Sequence, residues 1–579
     1  MPTIFPYSDS GRENKREIAE FSHEKLNYQV KIGCILHPTN RNSRPETLDF
    51  IEITDKKNTM PNRSADTLFQ LIQSLERSEK RNFKLYITRN TGSTDLKIVQ
   101  LFDALEGMKQ YDEELLLKKN TAIQKQQLSN LKAHLYREIL ASLRLLKQDE
   151  NVDLQIHEQL DFARILYNKG LYLQSLKLLE KVKEFSKANN QATYLQQILF
   201  LEKKIEMLHI TRSLQNRADE LSEEVEEVNQ RVELIGELSN LSLQLYSWYI
   251  KNGHARDDED RTDIEMFLQH PAIEAAQQSK GFYERLYLYQ CYCWQAFITQ
   301  QFLSYYRYSQ KWVDLFHANE KMIEIETISY IKGLHNLLGA HFDLRNYHKF
   351  NEVIQLMVDF METPIVQQNK NNQLQTFIYL YTSRINCHFM MGTFTEGLSL
   401  VPVIEEKLRE YELFLDRHRV LVFYYKFASL YFGSGLYEES IDYLNKIIQL
   451  KVDLRIDLQC YARLLHLIAH YELGNLDLLQ YLAKSVYRFM YKMKNLSVVE
   501  EKIFSFLRQA MRLNDQQIKP LFEQLLIELK PLEKSSTANR AFMYLDIISW
   551  LESKLSNVPV QEIIHKKYLE AIHEAKQSA

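Results

Sequence analysis

Proline is missing from the long stretch of this 579-residue chain that lies between Pro61 and Pro271. Because a proline inside a helix costs about 3 kcal/mol, so long an interval without one favours long α-helices. Glycine is also scarce, with only 15 residues in the chain, so few positions are suited to strained turns. No run of 18 apolar residues occurs, and the sequence therefore predicts no helix that crosses a membrane.

Cysteine is rare, and the five cysteines are scattered and odd in number, which argues against a disulfide framework. Cys291 and Cys293 form a CxC pair without a second Cys or His pair at ligand spacing, so we expect reduced thiols rather than zinc. The first 30 residues lack the basic start and apolar run of a secretory signal. These absences predict a cytoplasmic protein.

A strong excess of positive or negative charge is also lacking, since the formal net charge is −4 and the pI is near 6.5. The chain as a whole therefore has no electrostatic drive toward nucleic acids or anionic membranes. The sequence contains no Walker motif, GxGxxG, HExxH, GxSxG or CxxC. We expect no enzyme, no cofactor and no metal site, and we interpret His466 and His470 as core or interface residues.

The length exceeds what one hydrophobic core supports, so the chain either divides into domains or grows lengthwise as a solenoid. Residues 1–59 hold four of the eleven prolines and show no helical period. They are predicted to be a disordered arm or sequence upstream of a true start at Met60, with a functional arm as the alternative. We predict a small helical unit over 60–110, long helices over 111–260, and an array with C-terminal capping helices over 261–579.

Helical patterns begin over 64–75, with Ser64 or Asp66 near the cap, continue through 78–89 and 96–108, and then form one long helix from Asp112 to about residue 147. The stretch 77–89 combines basic and aromatic residues. Phe83 and Tyr86 could stack on nucleic-acid bases, or they could be the apolar face of a short helix. The cations that would contact nucleic acid under the first interpretation are Lys80, Arg81 and Lys84.

Another long helix is predicted over 196–250. Five of its apolar residues follow the spacing of a coiled-coil seam over about two heptads, and we favour packing against neighbouring helices over dimerisation. These residues are Leu221, Val225, Val228, Val232 and Ile235. The acidic stretch 254–263 lacks the glycine and closing glutamate of a calcium-binding loop and is predicted to be a solvated loop.

Four segments repeat one pattern, in which two helical runs meet at a tight turn. The turn needs a residue that tolerates positive φ, an aromatic residue follows two positions later, and a small residue lets the helices approach. The turn residues are Gly170, Arg345, Gly392 and Gly435, and the aromatic residues are Tyr172, Tyr347, Phe394 and Tyr437. The small residues are Ser175, Gly397 and Ser440, and weaker copies centre on Gly474 and on Gln310 with Trp312.

This pattern resembles the tetratricopeptide repeat (TPR) over 156–190 and 300–490. The turn residues 345, 392, 435 and 474 are spaced by 47, 43 and 39 residues, whereas the family repeat is about 34 residues long. The closing proline of the family is absent from every copy. The resemblance implies an all-α fold, a right-handed α-α superhelix or TPR-like solenoid. The opening of the N-terminal unit loosely resembles bacterial helical-repeat proteins of unknown function, which implies no activity.

In the tetratricopeptide family the first helix of each pair lines a groove that takes peptides or helices. The resemblance thus implies a non-catalytic scaffold for a protein or peptide partner. The alternative is a regulator in which residues 77–89 contact nucleic acid and the repeats act as a sensor. Polar residues on the predicted first helices are the candidate partner contacts, namely Arg384, Asn386, Lys426, Arg463 and His466.

Overall fold

The computed structural model describes residues 66–90, 96–119, 123–208, 216–412, 414–450, 455–513, 515–534, 541–542 and 546–578. The regular elements within these ranges are all helices, so the predicted all-α class is confirmed there. None of the described helices is long and apolar enough to cross a membrane. The predictions for 1–59 and Met60 lie outside the described residues.

The N-terminal helices share one hydrophobic core that includes Phe83 and Phe102. Asp66 caps the first helix, because its side chain accepts a hydrogen bond of 3.1 Å from the backbone N–H of Phe69. The helices are α1 (Thr67–Ser74), α2 (Arg77–Asn90), α3 (Leu96–Glu106), α4 (Glu113–Lys119) and α5 (Lys125–Leu146).

The long helix predicted from Asp112 to residue 147 is wrong, since the chain forms α4 and α5 instead. Asp112 does cap α4 by accepting a hydrogen bond of 3.0 Å from the backbone N–H of Leu115. Leu116 and Leu128 are both buried in the N-terminal core. One straight helix would place these two side chains about 120° apart, so the break lets both enter the same core.

The next four helices begin with the hairpin predicted at 156–190. Gly170 takes φ of 76° at its turn. The small residue Ser175 is buried where the two helices cross, and its hydroxyl donates a hydrogen bond of 2.8 Å to the carbonyl of Ala163. The helices are α6 (Val152–Asn168), α7 (Tyr172–Ala188), α8 (Ala192–Leu208) and α9 (Arg217–Asn252).

The single helix predicted over 196–250 is wrong, because the described residues form two helices, α8 and α9, that pack against each other. Leu221, Val225 and Val228 of α9 are buried in one cluster with Leu195 and Leu199 of α8. The predicted packing of this stripe against a neighbouring helix is therefore confirmed.

The solvated loop predicted over 254–263 is wrong, because a helix begins inside it. Asp257 caps that helix by accepting a hydrogen bond of 2.9 Å from the backbone N–H of Asp260. Asp260 also forms an ion pair of 2.7 Å with Arg256. Carboxylates in the first turn of a helix are stabilised by the helix dipole, which explains their concentration here.

The rest of the chain consists mainly of antiparallel helical hairpins, each packed on the next. The helices are α10 (Asp258–Met266), α11 (Pro271–Gln278), α12 (Phe282–Ile298), α13 (Phe302–His317), α14 (Lys321–Ile325), α15 (Thr327–Asp343), α16 (Tyr347–Met361), α17 (Pro364–Gln367), α18 (Lys370–Met391), α19 (Phe394–Gly397), α20 (Leu400–Glu410), α21 (Arg417–Gly433), α22 (Tyr437–Gln449), α23 (Ile456–Glu472), α24 (Leu476–Lys492), α25 (Val498–Ala510), α26 (Asp515–Leu529), α27 (Ile547–Ser556) and α28 (Val560–Ser578).

Positive φ marks the turn of each of five hairpins, and we name the helix before each turn its first helix. The first helices are α12, α15, α18, α21 and α23. The turn residues are Gln300, Arg345, Gly392, Gly435 and Gly474.

The weak copy predicted around Gln310 and Trp312 is wrong in its position. Trp312 is buried in the middle of α13, and the turn lies ten residues before Gln310, at Gln300. A glutamine at positive φ gives the sequence no glycine by which to recognise this turn.

Two long-range contacts complete the fold. The backbone N–H of Arg455, just before α23, donates a hydrogen bond of 3.0 Å to the carbonyl of Ile250 in α9. Near the C-terminus, His565 of α28 hydrogen-bonds the carbonyl of Met391 at 2.7 Å, so that α28 packs on the end of α18.

Candidate functional site

Side chains from three first helices meet at the ring of Tyr379 on α18. The ammonium of Lys332, on α15, lies 5.1 Å from the ring centroid, and the guanidinium of Arg419, on α21, lies 6.0 Å from it. The imidazole of His335 stacks on the same ring at 4.3 Å, with 19° between the planes. We name these four residues the Tyr379 cluster. Two cations near one ring are consistent with cation–π attraction.

Neighbouring residues hold the two cations of the cluster in place. Lys332 also lies 5.2 Å from the ring centroid of Trp294 on α12. The Nη2 group of Arg419 donates a hydrogen bond of 2.9 Å to the side-chain oxygen of Gln375. The cluster and its neighbours therefore join four helices through aromatic faces and one amide oxygen, together with one longer ion pair of 3.4 Å between Arg419 and Asp416.

A second polar layer lies two helical turns further along the same helices. Asn386 follows Tyr379 by seven residues, and Lys426 follows Arg419 by seven, which is about 10 Å along each axis. The ammonium of Lys426 donates a hydrogen bond to the side-chain oxygen of Asn386. Asp343, at the end of α15, is within electrostatic range of Lys426.

Burial disfavours the charged forms of three groups in the two layers. Burial lowers the pKa of Lys426 to about 8, with a further contribution from Arg455, while Asp343 opposes the shift. Burial raises the pKa of Asp343 to about 7 against the attraction of Arg345 and Lys426. Burial, and then the charges of Lys332, Lys426 and Arg419, lower the pKa of His335 well below its ordinary value. Such perturbed groups concentrate at functional sites.

Several of these groups lack the partners that buried polar atoms usually have. Among the described residues, neither Lys332 nor Lys426 has a carboxylate within ion-pair distance. The Nδ1 atom of His335 and the Oδ2 atom of Asp343 have no hydrogen-bond partner there. An unsatisfied buried polar atom costs about 1–3 kcal/mol, so this surface carries an energetic penalty.

The five residues predicted to contact a partner fall into separate groups. Asn386 and Lys426 are brought together by their hydrogen bond. Arg384 instead stacks 5.1 Å from the ring centroid of Tyr381.

Arg463 and His466 face another part of the array. The guanidinium of Arg463 lies 4.0 Å from the ring centroid of Phe489 on α24 and donates a hydrogen bond of 2.8 Å to the carbonyl of Gln459. His466 meets His470 edge-on at 4.4 Å, and burial lowers the pKa of His466 to about 4. These two predicted residues therefore make local contacts on α23 and α24.

The basic stretch on α2 borders a shallow cleft of about 490 Å³ that includes Lys80, Arg81 and Lys84. Lys84 forms an ion pair of 2.8 Å with Asp103, and Lys80 forms one of 3.5 Å with Glu106. Phe83 is buried against Phe102, with 4.8 Å between the ring centroids, so its ring faces the core. Arg81 is exposed.

Sequence reasoning missed Lys332, His335, Tyr379, Arg419 and Asp343. A usable signal did exist for two of them. Lys332 precedes the turn residue Arg345 by 13 positions, and Tyr379 precedes the turn residue Gly392 by the same number. A repeated polar or aromatic residue at one position of successive first helices indicates a shared surface.

The cysteine pair has no shared site. The thiol of Cys291 lies 3.6 Å from the carbonyl of Leu238, and that of Cys293 lies 3.5 Å from the hydroxyl of Ser309, so the two point to different neighbours. Burial raises the pKa of each thiol to about 12, which suppresses the reactive thiolate. Within the part of the chain that the structure describes, no three His, Cys, Asp or Glu residues converge as metal ligands would.

The residues that the structure describes form an all-helical fold built largely from packed helical hairpins. Comparison of the chain with protein-family models and with curated proteins gave no match in either case. Its function is therefore inferred from its own residues.

Proposed function

We propose that the chain is a non-catalytic interaction scaffold of the cytoplasm, which binds a segment of a partner protein on the surface of α15, α18 and α21. The observation that carries this proposal is the Tyr379 cluster. It presents two cations, an imidazole and a phenol ring on one surface, and Lys332 has no carboxylate partner among the described residues. Aromatic and arginine side chains are the residues that contribute most to protein interfaces.

The second layer and His335 of the Tyr379 cluster support the same surface. Lys426, Asp343 and His335 are all held in surroundings that disfavour their charged forms. A partner segment that offers a carboxylate to Lys426 and a hydrogen-bond donor to Asp343 would replace the hydrogen bonds with water that these groups lose on burial. Residues that reduce stability in the free protein and gain partners in a complex are expected at a binding site.

We further propose that the hairpins form a right-handed, TPR-like superhelix in which the first helices line the groove. Three observations support this architecture. Gly392, Gly435 and Gly474 provide positive φ at successive turns. The hydroxyl of Ser440 donates a hydrogen bond of 2.9 Å to the carbonyl of Ala428, which repeats the contact of Ser175 in the hairpin of α6 and α7. Neighbouring hairpins pack in sequence order.

The second candidate function is a regulator that contacts nucleic acid through α2. The basic cleft beside Lys80, Arg81 and Lys84 favours it. The ion pairs of Lys80 and Lys84 with α3 and the burial of Phe83 favour the scaffold instead, since stacking on bases needs an accessible ring.

The two functions are separated by affinity capture of partners from the native cell with the tagged full chain, with and without nuclease. The scaffold predicts a discrete protein partner that survives nuclease treatment. That partner should be lost from a variant that combines Lys332→Gln, Arg419→Gln and Lys426→Gln. Recovery of nucleic acid, or loss of every partner on nuclease treatment, contradicts the scaffold and favours the regulator.

A matched control removes charge elsewhere. Lys177 and Lys181 are exposed on α7, four residues apart. A Lys177→Gln and Lys181→Gln variant should keep the partner, because these side chains lie on a different hairpin from the Tyr379 cluster. Loss of the partner from this control as well would show a non-specific charge effect.

A further inference from the structure

A second surface lies between α24 and α25, where a groove of about 370 Å³ has an apolar floor. Ala483 and Phe504 are buried beneath it. Tyr487 of α24 meets Phe504 of α25 edge-on, with 5.4 Å between the ring centroids. The groove is therefore an open channel between two helices that are held together by aromatic packing.

Four cations surround this floor. Lys484 and Arg488 lie one turn apart on α24, and Arg508 and Arg512 lie one turn apart at the end of α25 and just beyond it. All four side chains are exposed, and none of them forms an ion pair with a carboxylate of the described residues. Asp477 is the one acidic residue among those that line the groove. Both walls are thus positive.

Large apolar side chains on the same helix are also exposed. Tyr481 is 74 % exposed, Tyr491 is 72 % exposed and Leu478 is 45 % exposed, and all three belong to α24. Single exposed apolar residues are common on protein surfaces, but Tyr481 and Tyr491 lie on the side of α24 that borders the apolar groove, and together they indicate a binding surface.

We propose that the groove between α24 and α25 is a second binding site that takes an acidic, amphipathic helix of a partner protein. Carboxylates of that helix pair with the cations on the two walls, and its apolar face lies on Tyr487, Phe504 and the neighbouring Tyr481. The one-turn spacing of the cations on each wall matches the spacing of side chains along one face of a helix. This site does not depend on the Tyr379 cluster.

A polyanion such as nucleic acid fits these observations less well. Its affinity comes from many phosphate contacts along an extended basic track, whereas the cations here are four and are confined to one groove. The apolar floor, with Ala483 and Phe504 beneath it, matches apolar side chains of a protein helix better than a sugar–phosphate backbone.

The test uses the immobilised full chain and a phage-displayed library of random 16-residue peptides. We expect the selected peptides to be rich in Glu and Asp together with Leu and Phe at helical spacing. Synthetic copies should bind in solution and lose at least about tenfold in affinity when their acidic residues become Gln or Asn. An Arg488→Glu and Arg508→Glu variant of the chain should bind the original peptides with an affinity that is reduced to the same extent.

Two controls accompany this measurement. A Lys177→Glu and Lys181→Glu variant should bind the peptides within about twofold of the wild type, because these charges lie on α7. Charge reversal could disturb the fold, so an Arg488→Gln and Arg508→Gln variant neutralises the two charges instead. This variant should show an intermediate loss of peptide affinity and an unchanged circular dichroism spectrum.

Three outcomes would overturn the proposal. They are selection of peptides without acidic enrichment, equal binding of the selected peptides to the charge-reversed variant, and selection of no peptide at all. Tighter binding of an oligo-dT probe than of any peptide, with the same loss in the variant, would also overturn it and assign the groove to nucleic acid.

Discussion

Arg455 and Ile250 join two helices that lie far apart in the sequence. The backbone N–H of Arg455 donates a hydrogen bond of 3.0 Å to the carbonyl of Ile250 near the end of α9. The guanidinium of Arg455 lies 4.9 Å from the ring centroid of Tyr249 and pairs with Asp457 at 2.8 Å. The hairpins from α12 to α22 lie between these partners in the sequence. This contact therefore brings the end of α9 against the start of α23, across the whole intervening segment.

Gly253 lets the end of α9 approach Asp457 closely, and we predict that Gly253→Ala weakens this closure. Gly253 has φ of 78°, and a Cβ there would lie 2.3 Å from a carboxylate oxygen of Asp457. Backbone strain and steric overlap together should lower the free energy of unfolding by about 2–3 kcal/mol. Urea unfolding followed by circular dichroism measures this change.

The control for this prediction is Gly435→Ala. Gly435 has the same φ of 78° but open space where a Cβ would be, so only the backbone strain of about 1 kcal/mol applies. Equal losses in the two variants would show that the approach to Asp457 adds nothing to stability.

Gly392 lies under α28, and we predict that Gly392→Ala displaces this helix. A Cβ at Gly392 would lie 2.4 Å from the backbone nitrogen of His565 and 2.5 Å from the carbonyl oxygen of Gln561. Backbone atoms cannot rotate away as a side chain can, so α28 must move. Hydrogen exchange should become faster in residues 560–573 of the variant.

Gly474→Ala serves as the matched control for this prediction, because Gly474 has φ of 71° and no atom within 4 Å of the added Cβ. Exchange in α28 should remain as in the wild type. Unchanged protection of α28 in Gly392→Ala would contradict the packing of α28 on this turn.

Asp343 should make stability depend on pH in the direction opposite to an ion-paired carboxylate. Because burial raises its pKa from 3.8 to about 7, the folded state keeps a proton that the unfolded state releases. Stability therefore falls as the pH rises between these two values. Asp343→Asn removes this effect, and at pH 8 we expect a gain on the order of 2 kcal/mol that is nearly absent at pH 4.

Urea unfolding of the wild type and of Asp343→Asn at several pH values between 4 and 8 gives the difference directly. Asp359→Asn is the control, since Asp359 is exposed on α16. A gain for Asp343→Asn that does not change with pH would show that its carboxyl group is not the cause.

Lys426 is predicted to reduce stability while contributing to partner binding. Burial lowers its pKa to about 8, so its charged form is disfavoured in the folded state, and the penalty diminishes as the pH rises from about 8 toward 10.5. The substitution Lys426→Met exchanges the ammonium for an apolar side chain and should raise the free energy of unfolding at pH 7 by about 1 kcal/mol. The same variant should no longer capture the partner protein in the affinity-capture experiment. A destabilised variant would indicate that Lys426 has a structural role.

The turns of the fold were predictable wherever a glycine marks them. Gly170, Gly392, Gly435 and Gly474 all adopt positive φ, as the repeat pattern predicts. The turn at Gln300 was missed because glutamine carries no conformational signal, and tertiary packing holds it at φ of 59°. The break between α4 and α5 was missed because it is set by a core that Leu116 and Leu128 share from different helices.

The candidate site was only half predictable. Asn386 and Lys426 are polar residues of predicted first helices, and they do form a hydrogen bond. The Tyr379 cluster unites residues of α15, α18 and α21, and the pairing of Tyr379 with Arg419 depends on the relative rotation of two helices. Arg463 belongs with Lys426 by the same sequence logic, but it packs on Phe489 instead, because α24 covers that side of α23.

Site-specific cross-linking at Tyr379 tests the central proposal most directly. A photoreactive phenylalanine analogue replaces Tyr379 in the chain expressed in the native cell. A control variant of the same chain carries the analogue at the exposed position Leu173 on α7 instead. Cross-linked peptides are then sequenced by mass spectrometry. The proposed scaffold predicts that one segment of one protein is cross-linked at position 379 and not at position 173. If no cross-link forms at position 379, or if the same proteins are cross-linked at positions 379 and 173, the binding surface on α15, α18 and α21 is contradicted.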